Sequence, residues 1–312
     1  LCRAGMRAFG LRVLLVDGST SQAVDTPANA ETFGRSENQE GESRLPLVRW
    51  VLMICAGCGA VVDASMGGYH ESEQAFFAAL VERLTAGCLV VADRGLCSFM
   101  AFWVIQQRGS HFLCRHHQRR KGRKVRRLGY KDDLMEWSWR DVRFVRCHGW
   151  WAWIPLVKED LRVRVVERQI VRKGYRTFTL RICTSLLDHR TVPAGELMEL
   201  YLKRWRIEGA IRDLKTGFGI DRLRGKTPDI ARKEIWSGLL AYTLVSMVRA
   251  EAFTGESDAE EAWELSTRRT CLLFLRFVER AVEATPERRR FLCRRLQAAV
   301  AATRNKPQKR PP

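Results

Sequence analysis

Between residues 201 and 215 the sequence carries four side chains that could bind metal ions and phosphate together. Tyr201, Arg204, Glu208 and Lys215 stand at offsets of 0, 3, 7 and 14, which on one helix keeps them within an arc of roughly 60°. A carboxylate among cationic and phenolic donors suits metal-assisted phosphoryl chemistry, because the acid holds a divalent ion while the donors bind phosphate oxygens. The alternative is a solvated polar stripe with i,i+4 ion pairs.

Two more carboxylates follow short apolar runs that we interpret as buried strands. The run at 11–16 ends at Asp17, the run at 88–92 ends at Asp93, and a glycine follows each aspartate within two residues. Glycine at such a point lets the chain leave the sheet. Either aspartate alone could equally be a turn or capping residue. Together with Glu208 they suggest a site in which three carboxylates hold two ions.

These residues resemble a known family. The order Asp17, Asp93, Glu208, with Y-x2-R-x3-E-x6-K around the glutamate, is similar to the DDE transposases of bacterial insertion sequences, in the group with the YREK signature. Three longer segments carry the resemblance further: DGSTSQAVDTPANAETFGR (17–35), LLDHRTVPAGELMELYLKRWRIE (186–208) and LRGKTPDIARKEIW (223–236). The similarity extends from about residue 11 to about residue 250.

The resemblance implies an α/β fold: a ribonuclease-H-like mixed sheet, with a β-rich insertion between the second aspartate and the glutamate, and a helical C-terminal part. The coarse element order β-β-β-α-β-α-β agrees with it: the Asp17 strand, a polar loop to about Pro46, a hairpin-like pair from Val48 to Ala64, a helix at 71–85, the Asp93 strand, a helix near 98–108 and a strand at 111–115. The segments VRFVRC (142–147) and WAWIPLV (151–157) are strand-like and fall in the insertion. The expected divisions are the first part of the catalytic core (1–115), a basic, Trp-rich insertion (116–190), the catalytic helix with completion of the core (191–250), and a helical C-terminal region with a disordered tail (251–312).

The resemblance also implies a mechanism. Two Mg²⁺ or Mn²⁺ ions, typically about 3.5–4 Å apart, clamp the scissile phosphate; Asp17 bridges them, and Asp93 and Glu208 hold one each. Water attacks at the transposon end, the freed 3′-OH forms a hairpin on the opposite strand, and the reopened end joins target DNA.

The remaining members of the signature are expected to position the DNA. That role falls to Tyr201, Arg204 and Lys215, although ion pairing with Glu208 alone is a competing explanation for the two cations. The family also stacks a flipped base on a tryptophan of the insertion. Five candidates stand close together, and the sequence does not choose among them: Trp137, Trp139, Trp150, Trp151 and Trp153. For each of these the alternative is the core of a small β domain.

Composition favours a polyanionic partner. The chain has 54 Lys and Arg against 35 Asp and Glu, a formal charge of +19, and residues 115–131 contain nine Lys or Arg and no acid. The resemblance implies that this partner is double-stranded DNA, both transposon ends and target, bound by a homodimer. The predicted contacts in this run are Arg119, Arg120, Lys121, Arg123 and Lys124. A solvated loop is the alternative for the run.

Other features bear on location and completeness. No apolar run approaches the ~20 residues of a membrane span, and ten scattered cysteines are typical of a reducing compartment, so we expect a bacterial, cytoplasmic, nucleoid-associated protein. Cys55 and Cys58 form a lone CxxC, for which structural zinc is not expected. Because few residues precede the first strand, a truncated copy is expected, with a nuclease lacking strand transfer or a non-catalytic DNA-binding remnant as alternative functions.

Overall fold

The protein contains one mixed β-sheet with helices packed against both of its faces. The computed structural model describes residues 6–36, 45–117, 120–140, 149–171, 177–252 and 261–305, with the side chains at 151–153 and 261 outside that description. The predicted C-terminal tail and the apolar run at 142–147, expected to be a strand, lie largely or wholly outside the described residues.

The ten strands of the sheet lie between residues 7 and 184 of the described chain. They are β1 (Arg7–Ala8), β2 (Leu11–Gln22), β3 (Leu47–Cys55), β4 (Val61–Gly68), β5 (Cys88–Ala92), β6 (His111–Arg115), β7 (Arg123–Gly129), β8 (Asp132–Trp137), β9 (Leu161–Ile170) and β10 (Phe178–Thr184). Their spatial order is β4-β3-β2-β5-β6-β10-β9-β8-β7, and β1 pairs with β2 at the side of this path.

Eight helices lie within the described residues. They are α1 (Pro27–Phe33), α2 (Glu73–Glu82), α3 (Phe99–Gln107), α4 (Ala194–Leu202), α5 (Arg206–Gly217), α6 (Pro228–Glu251), α7 (Thr267–Ala281) and α8 (Pro286–Ala301). Short 3₁₀ segments occupy Trp151–Leu156, Lys203–Trp205 and Glu261–Glu264. Within the described ranges, we find no helix with both the length and the apolarity to cross a bilayer.

The first half of the sheet has the ribonuclease-H-like arrangement expected from the sequence. Strands β2, β3 and β4 form an antiparallel meander, after which α2 leads to β5 and α3 leads to β6. Both later strands are parallel to their neighbours, β5 to β2 and β6 to β5. The predicted hairpin, the two helices and the strand at 111–115 are therefore confirmed.

Three local predictions are wrong. Strand β2 does not end at Asp17 but continues to Gln22, because β3 pairs with it along residues 47–55. The expected polar loop before Pro46 contains α1, which Thr26 caps by accepting a hydrogen bond from the Asn29 N–H. The apolar segment WAWIPLV is a 3₁₀ turn rather than a strand.

Two apolar cores lie on opposite faces of the sheet, because strand side chains alternate in direction. On one face α2 and α3 pack with residues such as Leu14 and Val90. On the other face α4, α5 and α6 pack with residues such as Leu15 and Val91. This division decides which face each aspartate can reach.

The strands after β6 continue the same sheet. Strand β10 pairs with β6 and with β9, and β8 and β7 follow at the edge. Trp137 and Trp150 are 1% and 2% exposed in the core under α2 and α3, and Trp139 packs against it. The core interpretation is thus confirmed for these three, although the core is that of the main sheet rather than of a small β domain.

Candidate active site

Strand register brings the two aspartates side by side. Strands β2 and β5 run parallel with Val16 opposite Ala92, so Asp17 and Asp93 follow at the same end of neighbouring strands. Each lies two residues beyond a side chain of the core on the α4–α5 face, and alternation therefore directs both aspartates toward that face. Asp17 does so from within its strand, whereas Asp93 stands just past the end of β5.

Glu208 reaches the same place from the helical layer. Helix α5 buries Ile207, Ala210 and Leu214 on this face of the sheet, which leaves Glu208 in the first turn at the margin of the core. The predicted single helix over 201–215 is wrong: α4 ends at Leu202 and a 3₁₀ turn precedes α5. The backbone stays helical through the break, so Tyr201 and Glu208 both still lie beside Arg204.

Arg204 joins the acids from the centre of the site. Its Nη1 donates to Asp17 Oδ2 at 3.2 Å and its Nη2 donates to Glu208 Oε1 at 3.0 Å. The residue is 7% exposed, and its Nε is buried without a hydrogen-bond partner among the described residues. A buried N–H with no partner is costly, whereas the two Nη groups are satisfied by the carboxylates.

The pKa of Asp17 reflects both its burial and the nearness of the other two acids. Burial raises the pKa of Asp17 from 3.8 to about 6, against the lowering effect of Arg204 and of the Gly18 N–H, and the charges of Asp93 and Glu208 raise it further. Three carboxylates and one guanidinium leave a formal charge of −2 (−3 + 1) when all are ionised. Such a site attracts cations.

The loop after β5 holds Asp93 by backbone hydrogen bonds. Asp93 Oδ1 accepts from the N–H of Gly95 at 2.8 Å and of Leu96 at 3.3 Å. From α2, the Gln74 amide donates to the Gly95 carbonyl at 2.7 Å and accepts from the Trp150 indole at 3.3 Å. Gln74 thus ties the Asp93 loop to the buried tryptophan, a role for which the sequence has no signal.

The other two signature residues lie at different depths. Tyr201 is 4% exposed, and burial raises the pKa of its phenol, which lies near the Arg204 guanidinium. Lys215 pairs with Asp221 at 3.4 Å, so pairing with Glu208 does not explain it. For Arg204 the pairing with Glu208 is present, together with a second pair to Asp17.

Trp205 was not among the predicted residues. Its side chain is 42% exposed and lies beside the Arg204 guanidinium, 5.6 Å from carbon to ring centroid. An aromatic face open to solvent next to the acids can receive a flat ligand group. The available signal was its position inside the signature segment.

The basic run forms the outer edge of the sheet. Arg123 and Lys124 pair across the hairpin with Glu136 and Asp133, at 2.6 and 2.5 Å, and they remain largely exposed. Arg120 lies over the Trp137 ring at 5.5 Å, Lys121 is exposed, and Arg119 is outside the described residues. The structure thus separates these cations from the acid site; solvated pairs of this kind are weak and can exchange for phosphates.

The donor set fits a hard divalent ion. Magnesium and manganese prefer carboxylate oxygens, and all three acids supply them. Within the described ranges, no hydrogen bond engages Asp93 Oδ2 or Glu208 Oε2, so each carboxylate keeps an oxygen for a ligand. The two oxygens of Asp17 have different partners. Its Oδ2 binds Arg204, and its Oδ1 accepts a hydrogen bond from the Gly18 N–H at 2.9 Å and can also face a ligand.

Comparisons with known proteins identify the family of the chain. The chain matches the family described as Transposase DDE domain over residues 8–244, and it belongs to that family of DDE transposases. It is similar to the transposase InsG for insertion sequence element IS4 of Escherichia coli (strain K12), with 26% identity over 285 residues. That match covers 89% of this chain but 61% of the relative, so the chain spans about three-fifths of the relative's length. The expected resemblance is therefore confirmed.

Among solved structures, the chain is similar to the piggyBac transposase in a cryo-EM synaptic complex with hairpin DNA. The TM-score is 0.44 at 10% identity, covering 96% of this chain and 58% of that chain.

Proposed function

We propose that this chain is the catalytic part of a transposase that cleaves DNA phosphodiesters at transposon ends and joins the ends to target DNA, using two Mg²⁺ or Mn²⁺ ions. The observation that carries the proposal is the convergence of Asp17, Asp93 and Glu208 around Arg204. Residues separated by 76 and 115 positions in the chain share one pocket of negative charge.

Each side chain has a distinct part in this proposal. Asp17, between the other two acids and with both oxygens at the site, would bridge the two ions, while Asp93 and Glu208 would hold one each. The ions, when bound, activate the attacking oxygen and stabilise the leaving one. Because hydrolysis, hairpin formation and joining are all in-line attacks of oxygen on phosphorus, one site can perform them in succession.

Arg204 prepares the site for phosphate. Its two Nη groups hold Asp17 and Glu208 in place, and its positive charge attracts the phosphate. Tyr201 packs beneath it and keeps the guanidinium in one position, so both residues orient DNA rather than transfer protons. Lys215, partly exposed at the far end of α5, would contact the backbone farther along the duplex.

Trp205 would stack on a nucleobase displaced at the cleaved end. Of the five tryptophans expected for this role, Trp137 and Trp150 are buried and cannot reach a base. Replacing Trp205 with alanine should weaken binding of hairpin or single-stranded ends about 5- to 100-fold, which corresponds to about 1–3 kcal/mol for a stacked base. Trp236→Ala on α6, equally exposed at 48%, is the matched control; equal effects of the two would reject the assignment.

The edge hairpin would bind the DNA backbone. Lys121, Arg123, Lys124 and the two arginines that follow on β7 face solvent and could follow a phosphate backbone. Two protomers would act together, because both transposon ends must be cut. Light scattering of the DNA complex would then show two chains per pair of ends. The place of action is then the bacterial nucleoid in the cytoplasm.

The test is Mn²⁺-dependent cleavage. The chain is incubated with linear DNA that carries the inverted repeats flanking its gene, and products are scored as nicks, hairpins and joined molecules. Asp93→Asn and Glu208→Gln should abolish all products while leaving DNA binding within a few-fold, because Lys and Arg contacts dominate affinity. Glu199→Gln, an exposed acid on α4, is the control and should remain active.

Each outcome of that assay is informative. Nicks without joined products would identify a nuclease, and undiminished binding without any metal-dependent product would identify a DNA-binding remnant. Activity that survives either acid substitution would show that the catalytic carboxylates lie elsewhere.

A further inference from the structure

Three cysteine side chains meet on the face of the sheet opposite the acids. Cys97 follows the Asp93 loop, Cys114 lies on β6 and Cys183 on β10, and all three are buried. The sulfur of Cys183 is 3.6 Å from that of Cys97 and 3.5 Å from that of Cys114. All three sulfurs lie within 4.8 Å of one another, far beyond disulfide length.

We propose that Cys97, Cys114 and Cys183 form a binding site for a soft divalent ion, with zinc the best match. Zinc is held by thiolates at about 2.3 Å in tetrahedral geometry, which sets neighbouring sulfurs about 3.8 Å apart. The two measured separations are within a few tenths of an ångström of that spacing. Small shifts of three side chains would therefore complete the ligand set.

His116 is the candidate for a fourth ligand, although its ring nitrogens lie outside the set of ligand atoms within 4.8 Å of one another and the side chain would have to move. It stands two residues beyond Cys114, and its N–H donates to the Arg181 carbonyl at 2.9 Å, so it continues the ladder in which Cys114 pairs with Cys183. Alternation then places His116 on the same face as the two thiols. It is 6% exposed and close enough to Cys97 for their charges to interact.

The three thiols would bind zinc in their deprotonated form. Binding would release the thiol protons to solvent and leave zinc held by thiolates, without any change of oxidation state. Buried cysteines also serve as small apolar residues, but that role does not require three sulfurs in mutual contact.

A metal ion here would be structural. Cys97 lies four residues after Asp93, while Cys114 and Cys183 belong to adjacent strands, so one ion would fasten the loop that carries a site carboxylate to the sheet. The lone CxxC of Cys55 and Cys58 is elsewhere, in a small core with Ala250. Metal binding can therefore be compared between variants of the cluster and variants of the CxxC pair.

The experiment measures metal content and the spectrum of the cobalt-substituted full chain. Protein made in zinc-supplemented medium and passed through chelator should hold one zinc per chain, and cobalt in its place should give the intense thiolate-to-metal absorption of a tetrahedral site. Cys183→Val and Cys114→Val should lose the ion, and His116→Ala should weaken binding 10-fold or more. Cys88→Val, a buried cysteine outside the cluster, and the double variant Cys55→Ser, Cys58→Ser should retain it.

Three results would overturn the proposal: wild-type chain without tight zinc, cobalt protein without thiolate absorption, or full zinc content in folded Cys183→Val. If the valine variants fail to fold, the wild-type cobalt spectrum together with the Cys55, Cys58 double variant decides the question. Neither measurement depends on DNA cleavage, so the outcome is independent of the proposed function.

Discussion

The raised pKa of Asp17 predicts a cost in stability that replacement of this residue should relieve. In the folded chain its pKa is about 6 against an ordinary value of 3.8, which corresponds to about 3 kcal/mol. Because the folded-state pKa is the higher one, folding favours the protonated carboxyl. The contribution of Asp17 to stability is therefore complete below about pH 4 and is lost as the pH rises through about 6.

The perturbation is Asp17→Asn, which keeps the shape of the side chain and removes the titration. Urea unfolding of both proteins without divalent ions, from pH 4 to pH 8, yields the difference in their free energies of unfolding. As the pH rises from 4 to 8, the variant should become more stable relative to the wild type by up to about 3 kcal/mol. Asp229→Asn on α6, where the carboxylate is 72% exposed and pairs with Lys233, is the control and should show no comparable drift.

A flat difference across this pH range would refute the reasoning, because it would mean that Asp17 is no less stable as an anion in the fold than in water. A second readout tests the site itself. Adding Mn²⁺ at pH 8 should stabilise the wild type, since an ion that binds only the folded state raises the free energy of unfolding. The asparagine variant should respond much less.

Three further predictions concern a buried ion pair, the Asp93 loop and the edge strand β7. Arg164→Met should cost about 3–5 kcal/mol in urea unfolding, because it leaves Asp132 charged and buried without its partner; adding Asp132→Leu should recover much of that loss. Gln74→Leu should slow Mn²⁺-dependent cleavage at unchanged DNA affinity, because the Asp93 loop loses its tie to α2. Replacing Arg126 and Arg127 with glutamine should weaken DNA binding for all sequences and lower the salt slope by up to about 2.

Each of these has a result that would contradict it. The buried pair is unimportant if Arg164→Met unfolds at the wild-type urea concentration. Gln74 has no positioning role if Gln74→Leu cleaves at the wild-type rate. For the edge hairpin, the same charge change at the exposed Arg294 and Arg295 of α8 is the control, and an equal loss of affinity there would show that binding is not localised to β7.

The sequence by itself was sufficient to predict the family and most of the elements. Apolar runs ending in Asp93 and near Asp17, and the spacing from Tyr201 to Lys215, were sufficient to predict an acid site and the family. Local patterns suffice for such features because strand and helix periodicity and turn residues act over a few positions. The same locality explains the errors: the extension of β2 depends on pairing with β3, and the 3₁₀ break before α5 depends on packing against the sheet.

Tertiary structure alone decided how these residues meet. Parallel register between β2 and β5 sets the two aspartates side by side, and burial of Arg204 between Asp17 and Glu208 follows from the docking of α5. The contact of Gln74 with the Asp93 loop and the meeting of three cysteines depend on packing between segments far apart in the chain. Such contacts arise from the energetics of the whole core rather than from any short stretch, and no spacing along the sequence records them.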